Sequence, residues 1–221
     1  MTSSSPSFAA RERRELADLM AELGPTAPTL CAGWDTSHLA AHLVVRDRRP
    51  DAMLGLGVEA AMGPGPLPSW AHRLEARLRE STPFAEVVAR FRSGPPPWTP
   101  LAWPGLSSLN TTEFAIHHED ARRAQPDWQP RELPRDQAAG LWRQLRLAGG
   151  IALRRLKTSI QVVSPGFGEF TVGAASTSPV KLSGAPGELA MFLTGRQAHS
   201  RVELTGPQEL VDRVREAKLG L

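Results

Sequence analysis

The sequence predicts an α+β protein, with a helical region followed by a smaller region of mixed strands and helices. In the first region, apolar residues recur at helical spacing between clusters of Pro and Gly. Beyond Leu156, short apolar runs are separated by Gly, Ser and Pro, which is typical of short strands. The sequence has no internal repeat that would indicate a solenoid. We therefore expect two domains, residues 1–156 and residues 157–221.

Clusters of Pro and Gly divide the first region into helices. A segment with helical spacing begins at Phe8 and ends before Gly24, and Asp35 or Thr36 is expected to cap the next helix. Pro83 lies in the first turn of a later helix. In chain order, helices are predicted over residues 8–23, 36–49, 51–62, 70–80, 83–92, 107–124 and 135–156.

The longest irregular stretch runs from Ser93 to Gly105. It contains five prolines together with Trp98 and Trp103, so it is expected to form an ordered surface loop that can wall a pocket. After the last long helix the pattern changes to short β-type runs. The predicted elements there are strands over residues 159–163, 169–172, 180–182 and 201–204, a helix over 186–194, and a final amphipathic helix that ends at Leu219.

Composition narrows the classes of function. The 221 residues are 41% hydrophobic and 22% charged, which is ordinary for a globular protein. The single cysteine, Cys31, excludes an intramolecular disulfide and any zinc site with several thiolates. The arginines lie in short pairs and not in one stripe, which weighs against nucleic-acid binding. No segment has the composition of a signal peptide or a membrane span, so we expect a soluble, cytoplasmic protein.

The most informative motif is a carboxylate and an imidazole four residues apart. Glu113 and His117 share one face of a predicted helix, one turn apart. A third ligand is available on an earlier helix, where His42 lies among apolar residues. The competing interpretation of each histidine is a core imidazole that is satisfied by one hydrogen bond. A shared metal ion would satisfy all three side chains together.

Two histidines and one carboxylate leave at least one coordination position open. That arrangement is typical of catalytic zinc, whereas structural zinc has four protein ligands. Iron also uses two histidines and one carboxylate, so the ligand types alone do not identify the metal.

Three segments resemble a known family. They are Leu-Cys-Ala-Gly-Trp at residues 30–34, Leu-Ala-Ala-His-Leu-Val-Val-Arg at 39–46, and Glu-Phe-Ala-Ile-His-His-Glu-Asp at 113–120. In this order and at these separations, they resemble the mycothiol-dependent maleylpyruvate isomerase-like superfamily, which is DinB-like in fold. The resemblance covers nearly the whole chain, and it is strongest to a subgroup known mainly as metal-binding proteins.

The resemblance implies a fold and a ligand set. In the superfamily a four-helix bundle holds a divalent metal, usually zinc, through residues that match His42, Glu113 and His117. Some members add a small sterol-carrier-like α+β domain, which the C-terminal region resembles. The expected architecture is therefore an N-terminal DinB-like four-helix bundle with a small C-terminal sterol-carrier-like α+β domain.

The resemblance also implies an activity. A low-molecular-weight thiol, mycothiol, would act as the nucleophile on a small electrophilic substrate, as in a thiol transferase or a cis-trans isomerase. Two alternatives stay open. One is a non-catalytic metal- and small-ligand-binding protein, and the other is a metal-dependent hydrolase with Glu119 or Asp120 as base. The expected partners are the thiol and the substrate, with no nucleic acid and no membrane, and the chain is expected to be a monomer or a homodimer.

Further residues are candidates for supporting roles. Asp120 lies three residues beyond His117 and could orient an imidazole, although an exposed helix carboxylate is the competing interpretation. Arg46, Arg122 and Arg123 lie on the two ligand-bearing helices. Arg46 and Arg122 are candidate anchors for an acidic or electrophilic substrate, against the simpler interpretation of solvated helix faces.

The remaining histidines and the cysteine receive weaker predictions. His38 is a candidate fourth ligand or proton shuttle, because it lies one turn from His42. His118 is expected to point away from the metal, and His72 and His199 are expected to be ordinary surface or interface residues. A small apolar role is predicted for the cysteine at position 31, since no histidine is adjacent to it in sequence.

Overall fold

A computed structural model describes residues 7–52, 66–103, 109–174 and 176–219. The chain forms an α+β protein that divides into two compact units, residues 1–128 and residues 129–221. In those described ranges, no helix combines the length with the apolar composition that crossing a lipid bilayer requires.

The first unit is helical. Its described helices are α1 (Phe8–Leu23), α2 (Thr36–Arg48), α3 (Pro66–Ser81), α4 (Phe84–Arg92) and α5 (Leu109–Arg123). A single 3-10 turn, Pro100–Ala102, lies in the proline-rich stretch. The first, second, fourth and fifth of these agree with the predicted helices to within about two residues, whereas α3 begins four residues earlier than predicted. Most of the helix predicted over residues 51–62 lies outside the described residues.

Helices α1, α2, α4 and α5 share one apolar core. Its largest members include Leu16, Leu39, Leu43, Phe91 and Phe114. Helix α1 packs against α4 and α5, while α2 packs against α3 and α4. The core also contains a buried ion pair between Arg13 and Asp47. This packing holds α2 and α5, the two helices with the predicted metal ligands, on one side of the same core.

Helix α2 begins at a strong N-cap. The Oδ1 atom of Asp35 accepts hydrogen bonds from the backbone N–H of Ser37 at 2.9 Å and of His38 at 3.0 Å. The imidazole of His38 completes a capping box, because its Nδ1 atom accepts the backbone N–H of Asp35 at 3.4 Å. Asp35 is therefore the cap, and His38 has a structural role at the helix start. This cap fixes the beginning of the helix that carries His42.

Replacing Asp35 with Ala is expected to lower the free energy of unfolding by about 1 kcal/mol, because two backbone N–H groups lose their acceptor. Burial opposes ionisation, yet hydrogen bonds from Ser37 and His38 lower the pKa of Asp35 from 3.8 to about 2. Its charge-dependent stabilisation is therefore complete above pH 3.8 and is lost as the pH falls towards 2. Urea unfolding of the chelator-treated protein measures both effects.

The matched control for this prediction is Asp35→Asn, since Asn is also a good N-cap residue but does not titrate. At neutral pH the Asn variant should keep most of the stability that the Ala variant loses. The difference between wild type and the Asn variant should shrink as the pH falls from 3.8 to 2. An Ala variant as stable as wild type at neutral pH would contradict the assigned cap.

The second unit combines a small sheet with helices. Its elements are α6 (Arg135–Arg154), β1 (Ile160–Ser164), β2 (Gly168–Val172), β3 (Val180–Ser183), α7 (Pro186–Leu193), β4 (Glu203–Thr205) and α8 (Gln208–Glu216). The strand order is β2-β1-β3-β4, and β1 pairs in parallel with β3, whereas the other two pairs are antiparallel. Alternate residues of β1 and β3 are buried, as expected for a sheet with one covered face.

The division into units differs from the predicted boundary at residues 156 and 157. Helix α6, which was expected in the first domain, belongs to the second unit. The physical reason is its packing: Gly149 approaches α7 so closely that an added Cβ would lie 2.9 Å from Leu193. Earlier in the same helix, the ring of Trp142 lies 5.5 Å from that of Phe170 on β2. Helical periodicity predicted this helix but carries no information about which neighbour covers its apolar face.

Candidate metal centre

Two helices of the first unit bring the three predicted metal ligands together. His42 lies on α2, and Glu113 and His117 lie one turn apart on α5. The neighbouring apolar residues of both helices are buried, so these side chains lie at the margin of the core. The histidine side chains are each 12% exposed and that of Glu113 is 29% exposed. The cluster is therefore largely buried but open to solvent on the carboxylate side.

The ligand atoms converge on one point. Nε2 of His42 and Nε2 of His117 each lie 3.4 Å from Oε1 of Glu113, and the two rings are 5.4 Å apart at their centroids. One ligand atom from each residue lies within 4.8 Å of the others. Ligands about 2.1 Å from a tetrahedral ion lie about 3.4 Å from one another. The two separations from Oε1 of Glu113 therefore fit ligands of one tetrahedral divalent ion, and they are long for good hydrogen bonds.

The Nδ1 atom of each histidine contacts a carboxylate other than that of Glu113. Nδ1 of His42 lies 3.0 Å from Oε1 of Glu75, and Nδ1 of His117 lies 3.0 Å from Oδ2 of Asp120. An imidazole that donates its Nδ1–H to a carboxylate presents the lone pair of Nε2 to a metal. Both rings thus have the orientation that metal coordination requires, with Nε2 directed at Glu113 and Nδ1 at a second carboxylate.

The sequence pattern did not reveal Glu75 as a functional residue. It lies on α3 among Ala71, Leu74 and Leu78, which form the apolar face of that helix. A buried carboxylate on an otherwise apolar face is the signal that could have found it. Its other oxygen, Oε2, lies 3.2 Å from Nδ1 of His72, whose side chain is 46% exposed at the surface.

When no ion is bound, the electrostatics of the cluster favour protonated, positively charged histidines beside an ionised Glu113. Burial opposes the charged imidazolium, yet hydrogen bonds to Glu113 and Glu75 raise the pKa of His42. Burial likewise opposes the charge on His117, but its contacts with Asp120, Cys31 and Glu113 raise its pKa well above 6.5. Burial raises the pKa of Glu113, but the positive charge of Arg46 and the contacts with the two histidines lower it, so that the pKa lies well below 4.5. Protons on the two rings occupy the place that a divalent ion would take.

Arg46 lies at the edge of this cluster. Its Nε atom is 3.2 Å from Oε1 of Glu113, and its Nη1 atom donates to Oδ1 of Asn110 at 2.6 Å. The guanidinium also lies 6.0 Å from the ring centroid of Phe114. Arg46 is buried and already contacts two polar partners, so its role as a substrate anchor stays a prediction.

Arg122 lies in a different environment. Its Nη1 atom donates to both carboxylate oxygens of Glu119, at 3.0 and 3.1 Å, and Arg123 donates to the same carboxylate at 2.6 Å. Neither arginine belongs to the three-ligand cluster, and the structure brings Arg122 to a carboxylate outside it. A role for Arg122 as a substrate anchor stays a prediction.

Cys31 is a second residue whose position the sequence pattern did not reveal. Its Sγ atom donates to Oδ2 of Asp120 at 3.2 Å and lies 3.9 Å from Nδ1 of His117. These contacts span a separation of more than 85 residues in sequence, so no local pattern predicts them. The prediction of a small apolar role rested on sequence neighbours alone, whereas the tertiary structure supplies a neighbouring imidazole.

Among the described residues, two further groups bring ligand-type atoms together. One comprises Cys31, Asp120 and His117, in which the thiol and the carboxylate lie near Nδ1 of the imidazole. The other contains His118, whose Nδ1 atom lies 2.9 Å from Oε2 of the buried Glu12 on α1. His118 thus pairs with α1 across the core, in a contact outside the His42 cluster.

Comparison of the chain with models of known protein families found no match. Searches of curated proteins and of solved structures found no significant match either. The geometry of the candidate metal centre is therefore the main support for a function of this protein.

Proposed function

We propose that the protein is a metal-dependent enzyme in which a low-molecular-weight thiol, mycothiol, attacks a small electrophilic substrate. His42, Glu113 and His117 would hold one divalent ion, with zinc favoured. The observation that carries the proposal is the convergence of two Nε2 atoms on one carboxylate oxygen at 3.4 Å, with both Nδ1 atoms already held by other carboxylates.

The ligand count supports catalysis over a structural role for the metal. Three protein ligands leave a coordination position for a small molecule, whereas structural zinc is enclosed by four. The 29% exposure of Glu113 supports an open position on the solvent side of the cluster. A bound zinc ion would supply charge that lowers the pKa of a coordinated thiol, so that a thiolate is available at neutral pH.

The chain's own residues orient the site. Glu75 and Asp120 hold a proton on Nδ1 of the two histidines, which keeps each Nε2 lone pair directed at the cluster. Arg46 places a positive charge beside Glu113, where it can bind the acidic group of a substrate. In a transferase the sulfur stays on the product, whereas in an isomerase it adds to a double bond and leaves after rotation.

Hydrolysis is the less favoured activity, because both candidate bases are engaged. The Glu119 carboxylate accepts from Arg122 and Arg123. Asp120 has no exposed surface, and its Oδ2 atom contacts both Cys31 and His117. Neither carboxylate is placed to take a proton from a water molecule on the solvent side of Glu113.

The proposal extends to the architecture and setting of the protein. The shared core of α1, α2, α4 and α5 supports a DinB-like four-helix bundle, and the four-stranded second unit supports a sterol-carrier-like domain. A cytoplasmic monomer or homodimer that binds no nucleic acid is the expected form.

Elemental analysis followed by thiol titration tests the proposed function. We expect one zinc ion per chain and saturable binding of mycothiol, with weaker binding of glutathione. The metal-free protein is the control, and it should bind neither thiol. Metal without thiol binding would favour a non-catalytic binding protein or a hydrolase, and protein without metal would refute the proposal.

A further inference from the structure

A second set of ligand-type atoms lies on the Nδ1 side of the His117 ring, opposite the side that faces Glu113. The Sγ atom of Cys31 is 3.2 Å from Oδ2 of Asp120 and 3.9 Å from Nδ1 of His117. The third separation, from Oδ2 to Nδ1, is 3.0 Å. Sulfur, oxygen and nitrogen ligands of one tetrahedral zinc-type ion lie about 3.5 Å apart. The three atoms need to move only by tenths of an ångström to enclose such an ion.

The position of the sulfur is set by the backbone. The loop between α1 and α2 is joined to α5 by a hydrogen bond from the N–H of Leu30 to the carbonyl oxygen of Asp120, at 3.0 Å. Cys31 itself donates its N–H to Oγ1 of Thr29 at 3.2 Å, and its carbonyl oxygen accepts from Trp34 at 2.9 Å. The loop therefore holds the thiol against the very residue whose carboxylate it contacts.

The chemistry of the group selects one class of ligand. The Asp120 carboxylate has no exposed surface, so a cation bound beside it would offset the cost of burying its charge. A thiolate beside a carboxylate would add repulsion, which a divalent ion removes. Thiolate and imidazole ligands favour zinc, cobalt and other thiophilic ions over magnesium and calcium.

We infer that Cys31, Asp120 and His117 form a second cation site, specific for a thiophilic divalent ion, which shares the His117 ring with the first centre. Binding there releases the thiol proton of Cys31 to solvent. When both sites are filled, His117 also loses its Nδ1 proton and bridges the two ions as an imidazolate. The second ion is therefore expected to bind more weakly than the first.

Titration of the metal-free full-length chain with cobalt(II) tests this inference. A cobalt–thiolate bond has a charge-transfer absorption in the near ultraviolet, and Cys31 is the only cysteine in the chain, so such a band reports this residue alone. We expect wild type to bind two equivalents of cobalt, and we expect the thiolate band to appear only as the second equivalent binds. Cys31→Ser should bind one equivalent without the band.

Two further variants separate this inference from the proposed function. His42→Ala removes a ligand of the first centre only, so it should still bind one equivalent with the thiolate band. Asp120→Asn should lose most of the band, whereas a band produced by cysteines of two chains around one ion would persist. Circular dichroism of each metal-free variant checks the fold.

Absence of the thiolate band from both wild type and His42→Ala at saturating cobalt would overturn the second site. If His42→Ala shows the band, and the first equivalent of cobalt bound by wild type already produces it, the second site is supported and the first centre is refuted. The two proposals thus fail by different observations.

Discussion

Replacing His117 with Ala is expected to remove most of the bound metal from the purified protein. The variant loses one of three ligands, and Glu113 and His42 alone cannot enclose an ion at the 3.4 Å separations seen here. We expect His42→Ala and Glu113→Ala likewise to lose the tightly bound ion, since an ion at the weaker second site is removed by dialysis. Metal content after dialysis, measured by elemental analysis, is the readout.

The reference for these variants is His199→Ala, because His199 lies in a 3-10 turn of the second unit. Its metal content should equal that of wild type. Equal occupancy in all four variants would refute the assigned ligands. Circular dichroism in chelator is needed beside the metal analysis, since each substitution also breaks buried hydrogen bonds.

The same substitutions should abolish stabilisation by metal. An ion that binds only the folded state, at about 1,000 times its Kd, adds about 4 kcal/mol to the free energy of unfolding. For a protein of this size, that corresponds to an increase in Tm of about 8–16 °C. Wild type should lose this increase on chelation, whereas the three ligand variants should have the same Tm with and without chelator.

Metal affinity should rise with pH near neutrality. The raised pKa values of His42 and His117 mean that the ion-free rings hold protons that the metal must displace. Lowering the pH through those raised values therefore weakens binding. Glu113 adds nothing to this dependence near neutral pH, because Arg46 and the histidines keep its pKa well below 4.5 despite burial.

Replacing Glu75 with Gln is expected to weaken metal binding by about 10–100-fold while leaving the fold intact. Gln keeps the size of the side chain and an oxygen that can face Nδ1 of His42. It removes the negative charge that keeps the proton on Nδ1 and makes Nε2 a better donor to the metal. Competition with a chelator of known affinity measures the change in Kd.

His72→Ala is the matched control for Glu75→Gln. It removes the contact at 3.2 Å to the outer oxygen of the same carboxylate but leaves the bond to His42 in place. We expect a much smaller change in Kd than for the Gln variant. If Glu75→Gln binds metal as wild type does, while His42→Ala does not, then Glu75 has no part in orienting the ligand.

Much of the first unit could be predicted because its signals are local. Helical spacing predicts that His42, Glu113 and His117 lie on helices. Glu113 and His117 are four residues apart, about one helical turn, so they must be neighbours on one helix face. The N-cap of α2, predicted at Asp35 or Thr36, is equally local. Asp35 lies within three positions of the two N–H groups whose hydrogen bonds it accepts. Such features depend on the backbone geometry of one helix and on nothing else.

Contacts between distant segments could not be predicted in this way. Glu75 reaches His42 from another helix, and Cys31 reaches Asp120 from a loop 89 positions away. Which carboxylate stands behind which imidazole depends on how the helices are rotated and offset in the packed core. A periodic pattern specifies a buried face but not the partner that covers it.

The sequence by itself determined the α+β class, the start of α2 and the spacing of the ligand pair on α5, because each depends on the preferences of a short stretch of backbone. Only the tertiary structure decided that α6 packs in the second unit, that Glu75 and Asp120 hold the two imidazoles, and that a thiol lies behind His117. These features arise from close packing between elements far apart in the chain, where the fit of side chains selects one arrangement.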